Sequence, residues 1–335
     1  MLTVIGATNI DILATTLATF KSYESNPARI IMGVGGSGKN ISHNLSLLGE
    51  KVQFISLFGD DYFGEICQNE CQRLGFDIRH SAIPKNGRCS MFTCINTPEG
   101  ELRAAASDMQ IMSKMSPEFL SEHINAINQT DLVIVESSVP AESIAYLMDN
   151  CLVPIYGHTT DVKSAPVFYE ALQLAETPHL MALAINEAAA TNIFATCEEL
   201  KSLKTPDEIA PIVADLGVSY IYITLSSHGV YCYAPSFGNK GVTLPAIPID
   251  AIVDSNGAGD AFVAGAVYAH IHDIPFPDTA HFGLHAAQAT LQVPSMVNPT
   301  LAETFKPLIT HKEAFVTKDN RLISMQVEGT IKNPF

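Results

Sequence analysis

The 335-residue chain is 47% hydrophobic and 16% charged, which supplies a large apolar core and excludes a disordered polypeptide. Its formal net charge of −16, from 19 basic and 35 acidic residues with no basic run, repels nucleic acid and anionic membrane, so any phosphate it binds must be held locally. No apolar run approaches the ~18 residues of a membrane span, and seven cysteines, odd in number and without a Cys-x-x-Cys pair, read as reduced thiols of a cytoplasmic protein. The length fits about two domains, or one large α/β unit carrying an insertion.

Leu2 to Ile5 reads as a short apolar strand that stops at Gly6-Ala-Thr-Asn9-Ile-Asp11. Asn9 and Asp11, at alternate positions just past a strand end, would point together into a cleft, with an ordinary Asx turn as the alternative. The stretch to Phe20 and the run Arg29 to Met32 look extended. Gly33-Val-Gly35-Gly36-Ser-Gly38-Lys39-Asn40 then leads into an amphipathic helix bearing Ile41, Leu45, Leu47 and Leu48. Gly33 to Lys39 has the spacing of a phosphate-binding loop, but that loop needs Ser or Thr at the next position to hold Mg²⁺, and Asn40 stands there.

Further along, strand Val52 to Leu57, the turn Gly59-Asp60-Asp61 and a helix to Leu74 follow one another. Alternation over Arg88 to Asn96 and Glu101 to Ala106 about a Thr97-Pro-Glu-Gly100 turn predicts a hairpin. Together with the earlier extended stretch it would build a small sheet from residues 12–32 and 88–106, inserted in the α/β core and free on one face, expected both to cover a ligand and to pair with a second copy. Beyond it, helix Pro117 to Asn128, strand Leu132 to Glu136, helix Ala141 to Asn150, strand Val153 to Tyr156, helix Pro166 to Ala175, strand Leu180 to Ile185, helix Asp207 to Leu216 and strand Tyr220 to Leu225 alternate regularly. That pattern predicts a mainly parallel sheet covered on both faces, with ligands at the carboxyl ends of its strands. Asn9, Asp11, Glu136, Asn186, Thr224 and Asp260 fall at or just past such ends. Cys67 with Cys71 and His281 with His285 have helical i, i+4 spacing but no nearby partners, so no metal ligand set is assigned.

The most informative stretch is Asp254-Ser-Asn-Gly257-Ala258-Gly259-Asp260-Ala-Phe262, which runs into a small apolar helix through His270. Two glycines allow a sharp turn, and the unpaired N–H groups of the helix start, with its dipole, make an anion hole. A carboxylate in the first turn, Asp260, can take a hydroxyl proton while the hole receives a phosphoryl group; alternatively it only caps the helix.

This stretch resembles the C-terminal signature of the PfkB-type, ribokinase-like sugar and nucleoside kinases, and Gly35-Gly36-Ser-Gly38-Lys-Asn40 resembles their N-terminal one, over 200 residues earlier. The likeness covers about residues 1–305. Within the family, Ser25-Asn-Pro27, Asn44-Leu-x-Leu-Leu-Gly49, Gly59-x-Asp61-x-Phe-Gly64, Ser107-Asp108-Met109 and Asn298-Pro299 look like the branch of bacterial pseudouridine kinases. The resemblance implies a doubly wound, mainly parallel α/β sheet with helices on both faces and a small β-sheet lid. Residues 306–335 lie outside it as a C-terminal extension, where Thr317-Lys-Asp-Asn320 reads as a hairpin turn.

What the resemblance implies for the site is specific. Asp260 would be the base, and Gly257, Ala258 and Gly259 the anion hole. Asn9, Asp11, Gly35, Gly36 and Asn40 would hold the ribose, helped by Glu136, whose alternative is a strand-end carboxylate in solvent. Acceptors for the base are expected around Ser25-Asn26 and Ser107-Asp108. Asn186, Thr224, Ser226 and Gly229 would meet the nucleotide, with ATP and Mg²⁺ as cofactors and a monovalent cation as a further candidate. Three positions depart from the pattern: Ala189 stands where the family has Glu, Ser226 where Gly is usual, and His158 where many members have Asp. They put metal handling and nucleotide affinity in question and are not expected to touch the base or the anion hole. The implied activity is phosphorylation of the 5′-hydroxyl of a ribosyl substrate, pseudouridine first, then another nucleoside or ribose. The implied partner is a second copy joined through the lid sheet. A non-catalytic nucleoside-binding protein with a decayed nucleotide side is the reading from another class.

Overall fold

The computed structural model describes residues 1–98, 100–238 and 240–310. In chain order the elements are β1 (Leu2–Ile5), β2 (Asn9–Thr16), β3 (Ala28–Gly35), α1 (Ser37–Leu47), β4 (Val52–Ile55), α2 (Tyr62–Arg73), β5 (Met91–Asn96), β6 (Leu102–Asp108), α3 (Pro117–Ser121), α4 (Ile124–Ile127), β7 (Leu132–Glu136), α5 (Ala141–Asn150) and β8 (Ile155–His158). They continue as α6 (Pro166–Leu174), β9 (Leu180–Asn186), α7 (Glu187–Ala190), α8 (Pro206–Asp215), β10 (Val218–Thr224), β11 (Val230–Tyr233), β12 (Val242–Leu244), α9 (Ala258–Ile271), α10 (Thr279–Leu291) and α11 (Leu301–Thr310).

Eight strands form one sheet in the order β12-β11-β10-β9-β8-β7-β1-β4, parallel from β4 to β10 and antiparallel at β11 and β12. Because side chains alternate across a strand, its two faces carry two cores. Val133 and Val135 pack with Ile144 and Leu147 of α5 and Phe168 of α6, while Leu132 and Ile134 pack with Ile41 of α1 and Phe262 and Val263 of α9. Helix α9 is buried along nearly its whole length, which explains its apolar sequence on every side. It lies close to α10 at small residues: a Cβ on Gly283 would come within 2.7 Å of the Phe262 ring.

The smaller sheet, ordered β3-β2-β5-β6, occupies the stretches read as extended and as a hairpin. The chain leaves the large sheet after β1 and returns through Gly35 and Gly36 into α1. The two crossings touch, since Gly36 takes φ +98° and a Cβ there would sit 2.5 Å from the Ala7 carbonyl. Gly33 and Gly35 lie within β3, so no phosphate-binding loop separates strand from helix and that reading is excluded. Asn9 and Asp11 belong to β2 rather than to an Asx turn.

Three further boundaries differ. The helix expected over Pro117 to Asn128 is broken into α3 and α4 at Glu122-His123, where His123 packs edge-on to Phe119 at 4.9 Å. Strand β8 is displaced two residues, to Ile155–His158, because pairing starts with Val133 N–H on the Pro154 carbonyl and so runs on to His158. The boundary expected after residue 305 falls inside α11, and the expected hairpin at 317–320 lies outside the described residues.

Candidate active site

At the end of β7, Glu136 is 1% exposed, so it is no solvent-facing carboxylate. Its Oε1 accepts from the Ala7 amide at 2.6 Å and its Oε2 from the Ser138 amide at 2.6 Å, with the Ser138 hydroxyl also donating to Oε1. Burial holds its carboxyl above the usual range, opposed by those hydrogen bonds. Oε1 therefore fastens the crossing from β1 to β2, while Oε2 holds the turn that follows β7.

That crossing sets Asn9 and Asp11 on one face of the smaller sheet. Asn9 Nδ2 donates to Asp11 Oδ1 at 2.6 Å, and Asp11 Oδ2 lies where Gly35 leaves room, since a Cβ there would be 1.8 Å away. Burial raises the Asp11 carboxyl from 3.8 to about 6, against the lowering effects of the Asn9 hydrogen bond and the Lys39 charge, with Asp260 pushing it up further. Lys39 is itself 6% exposed, and burial lowers its affinity for a proton.

Asn40, in the first turn of α1, donates from Nδ2 to Asp260 Oδ2 at 2.8 Å. Its Oδ1 is buried without a hydrogen-bond partner, an open acceptor inside the site. Asp260 is 6% exposed, and its Oδ1 is 3.2 Å from Nε2 of His158. His158 was expected on the nucleotide side, clear of the base; the structure brings it against the base, because β8 ends two residues later than its sequence indicates.

Gly257 caps α9 in the left-handed conformation (φ +78°), and a Cβ on it would stand 2.0 Å from the Met296 carbonyl. The first hydrogen bond of the helix runs from Ala261 N–H to the Gly257 carbonyl at 2.9 Å, which leaves the amides of Ala258, Gly259 and Asp260 ahead of the helical ladder. Unpaired amides in this position, at the positive end of a helix dipole, are suited to receive an anion.

On the other side of the cleft, Asn186 and Thr224 end β9 and β10 in register. Asn186 Oδ1 caps α7 by accepting from the Ala189 amide at 2.8 Å. Ser226 takes φ +51°, the region that favours glycine, and Gly229 takes φ +98° with a would-be Cβ 2.0 Å from the Leu244 carbonyl. Ala189 is 0% exposed within the core, so a carboxylate placed there would be buried.

The expected base acceptors are placed differently. Asn26 spends its amide within its own loop, Oδ1 accepting from Lys21 N–H at 2.8 Å and Nδ2 donating to the Lys21 carbonyl at 2.8 Å. Asp108 is in register with Met91 and Ile10, on the opposite face from Asp11, whereas Ser107 lies in the row of Phe92 and Asp11. The Gly59-x-Asp61-x-Phe-Gly64 motif is architectural: Asp61 caps α2 through the Gly64 amide and holds the Cys89 amide, each at 2.8 Å.

Comparison with known proteins places this geometry. The pattern of the pfkB family of carbohydrate kinases matches residues 1–303. Pseudouridine kinase of Escherichia coli strain K12 is 24% identical over 303 residues, covering 89% of this chain and 93% of that protein. An uncharacterized sugar kinase of the same strain is 27% identical over 304 residues, covering 89% and 80%. Among solved structures, Arabidopsis thaliana ribokinase complexed with ribose and ATP superposes with a TM-score of 0.74 at 20% identity, covering 91% of this chain and 98% of that one. The chain belongs to the pfkB family of carbohydrate kinases, phosphotransferases of sugars and nucleosides, and has their ribokinase-like fold.

Proposed function

We propose that the protein transfers the γ-phosphoryl group of ATP to the primary 5′-hydroxyl of a ribosyl substrate, pseudouridine first among the candidates. The observation that carries this reading is the meeting, at one helix N-terminus, of the Asp260 carboxylate with the Asn40 amide and the left-handed Gly257 cap. ATP, when bound, supplies the phosphoryl group. Asp260 takes the hydroxyl proton, and the amides of Ala258, Gly259 and Asp260 balance charge developing on the phosphoryl oxygens. Asp11 and the open Asn40 Oδ1 accept hydrogen bonds from the sugar, while Gly35 and Gly36 let it approach the backbone. Glu136 serves this site by fixing the crossing rather than by touching the ribose, and Ser107 replaces Asp108 as the lid residue facing the base.

Asn186, Thr224, Ser226 and Gly229 shape the nucleotide side. Among the described residues no three His, Cys, Asp or Glu gather as a metal cage. Mg²⁺, when bound with ATP, would neutralise phosphate charge on the side of the site shaped by Asn186 and Thr224.

The smaller sheet acts as a lid over Asp11 and as the contact for a second copy. Supporting this, Ile12, Met32 and Thr93 share a row on the face away from Asp11, as do Ala14, Ile30 and Ile95, and Ile30 and Met32 are 65% and 56% exposed. Ile30→Lys with Met32→Glu should shift sedimentation from dimer to monomer. The reaction on a small metabolite, with all seven cysteines free, fits the cytoplasm.

ATP-dependent phosphorylation of pseudouridine, uridine, adenosine and ribose, measured side by side, tests the assignment. Pseudouridine should be preferred; equal turnover of ribose or uridine would remove the pseudouridine assignment and leave the kinase. The buried Ala189 and strained Ser226 favour one rival, a nucleoside binder without catalysis. Calorimetry that finds the ribosyl ligand bound and ATP not bound would establish that rival.

A further inference from the structure

The His158 ring is bracketed by two acceptors, with Nε2 3.2 Å from Asp260 Oδ1 and Nδ1 3.4 Å from the Ala184 carbonyl. A neutral imidazole has one N–H and can donate to only one of them; the shorter contact and the carboxylate partner favour the proton on Nε2. The backbone beneath the ring is clamped by the sheet, since the His158 carbonyl accepts from Ser137 N–H at 3.0 Å and Thr159 N–H donates to the Ala184 carbonyl at 3.0 Å. Above it lies Gly259, where a Cβ would make ordinary contact with His158 Cε1 at 3.7 Å. The imidazole thus packs against the first turn of α9 with its polar edge on the carboxylate.

Asp260 therefore has one side-chain donor on each oxygen, Asn40 from α1 on Oδ2 and His158 from β8 on Oδ1. We infer that His158 is a positioning residue for phosphoryl transfer, an inference that rests on the kinase reading above. Its Nε2–H and the Asn40 amide together hold the Asp260 carboxylate in a single orientation, with the remaining lone pairs left for the incoming hydroxyl. In that step the hydroxyl O–H bond breaks and its proton goes to Asp260. The substrate oxygen bonds to phosphorus, and the phosphoanhydride bond to the departing nucleoside diphosphate breaks. His158 keeps its own proton throughout. A histidine that merely filled a core site would need no donor on Asp260, and that difference can be measured.

The test compares His158→Leu, His158→Asn and His158→Gln in the full chain, with kcat and KM for acceptor and ATP and with acceptor affinity by calorimetry as a check on the fold. Misplacing a reacting group is costly, so the Leu variant should lose ~10- to 100-fold in kcat with KM within ~2-fold of wild type. Gln, whose amide can still reach and donate, should recover to within ~5-fold of wild type, and Asn, one bond shorter, should fall with Leu even if Leu fails to fold. In an Asp260→Asn background the same substitutions should cost nothing more, because the group they orient is gone. A Leu or Asn variant with wild-type kcat, or one that lowers Asp260→Asn by the same factor as wild type, overturns the inference. Wild-type protein with no ATP-dependent phosphorylation of any ribosyl acceptor overturns the kinase reading itself, which is a separate result.

Discussion

On the acceptor side of the cleft Asn9, Asp11, Asn40, His158 and Asp260 are at most 7% exposed and hydrogen-bond to one another, whereas on the nucleotide side Asn186 and Thr224 are half-buried and Ser226 is exposed. The contrast has a physical origin. Buried polar groups must satisfy each other, so each one constrains its neighbours and a change in any of them is expensive. The nucleotide side is shaped by backbone turns at strand ends, and its side chains can depart from a family pattern at small cost. The three departures divide three ways: Ser226 lies on the exposed, tolerant side, Ala189 lies in the core beneath it, and His158 has become a member of the constrained acceptor side.

Loss of the base should break the acceptor side most sharply. Asp260→Asn keeps the size and the Asn40 contact but cannot take a proton, so kcat should fall by ~10² or more while acceptor affinity stays within a few-fold. Turnover within a few-fold of wild type would remove Asp260 from that role. The next effect probes the core beneath the nucleotide side. Restoring the family carboxylate by Ala189→Glu should not sharpen Mg²⁺ dependence, because the side chain would enter a fully buried site. An unpaired buried carboxyl should instead cost ~3 kcal/mol or more, read as a fall in the denaturant midpoint. A variant with unchanged stability and tighter Mg²⁺ dependence would mean that α7 sits differently.

Asp11 gives a pH signature of intermediate size. Burial raises its carboxyl from 3.8 to about 6, so the folded chain binds this proton more tightly than the unfolded one. The resulting penalty is absent below pH 3.8, grows as pH rises to about 6, and is complete above that. At pH 7 it amounts to roughly 3 kcal/mol at most, so Asp11→Asn should be the more stable protein there and lose its advantage near pH 4. The same ionisation should matter for binding, since only the carboxylate accepts freely from sugar hydroxyls. Acceptor KM of wild type should therefore rise below pH 6 and that of Asp11→Asn should stay flat. Parallel stability curves for the two proteins would show that Asp11 is not desolvated.

How much of this was legible in the sequence follows from the range of the forces involved. The strand and helix alternation, the split of the smaller sheet and the glycines at 35, 36 and 257 are readable because periodicity and backbone sterics are local. The contact of His158 with Asp260 joins positions 102 residues apart and depends on where β8 ends, which is set by its pairing with β7 from Val133 to Glu136. The failure at Asp108 is one of parity: the neighbouring Ser107 faces Asp11, and a strand's register is set by its partners rather than by its own composition. Burial of Ala189 is likewise a property of what packs over α7, including Ile193 and Phe194 in the same core.

The smallest effect concerns Ser226, whose left-handed backbone with an ordinary side chain is the kind of strain glycine would relieve. A non-glycine residue in that region costs ~1–2 kcal/mol. Glycine also adds freedom to the unfolded chain, which returns ~0.5–1 kcal/mol of that gain. Ser226→Gly should therefore stabilise the protein by only ~0.5–1 kcal/mol, a rise of a few degrees or less in Tm for a chain of this size. Because Ser226 is exposed and makes no hydrogen bond through its hydroxyl among the described contacts, nothing offsets that relief on the protein side. The turn it governs, closed by Leu225 N–H on the Gly229 carbonyl at 2.7 Å, should keep its shape, and KM for ATP should move by less than ~3-fold. A destabilised Ser226→Gly, or one whose KM for ATP rises tenfold, would mean that the serine hydroxyl itself meets the nucleotide. The nucleotide side would then be as constrained by side chains as the acceptor side.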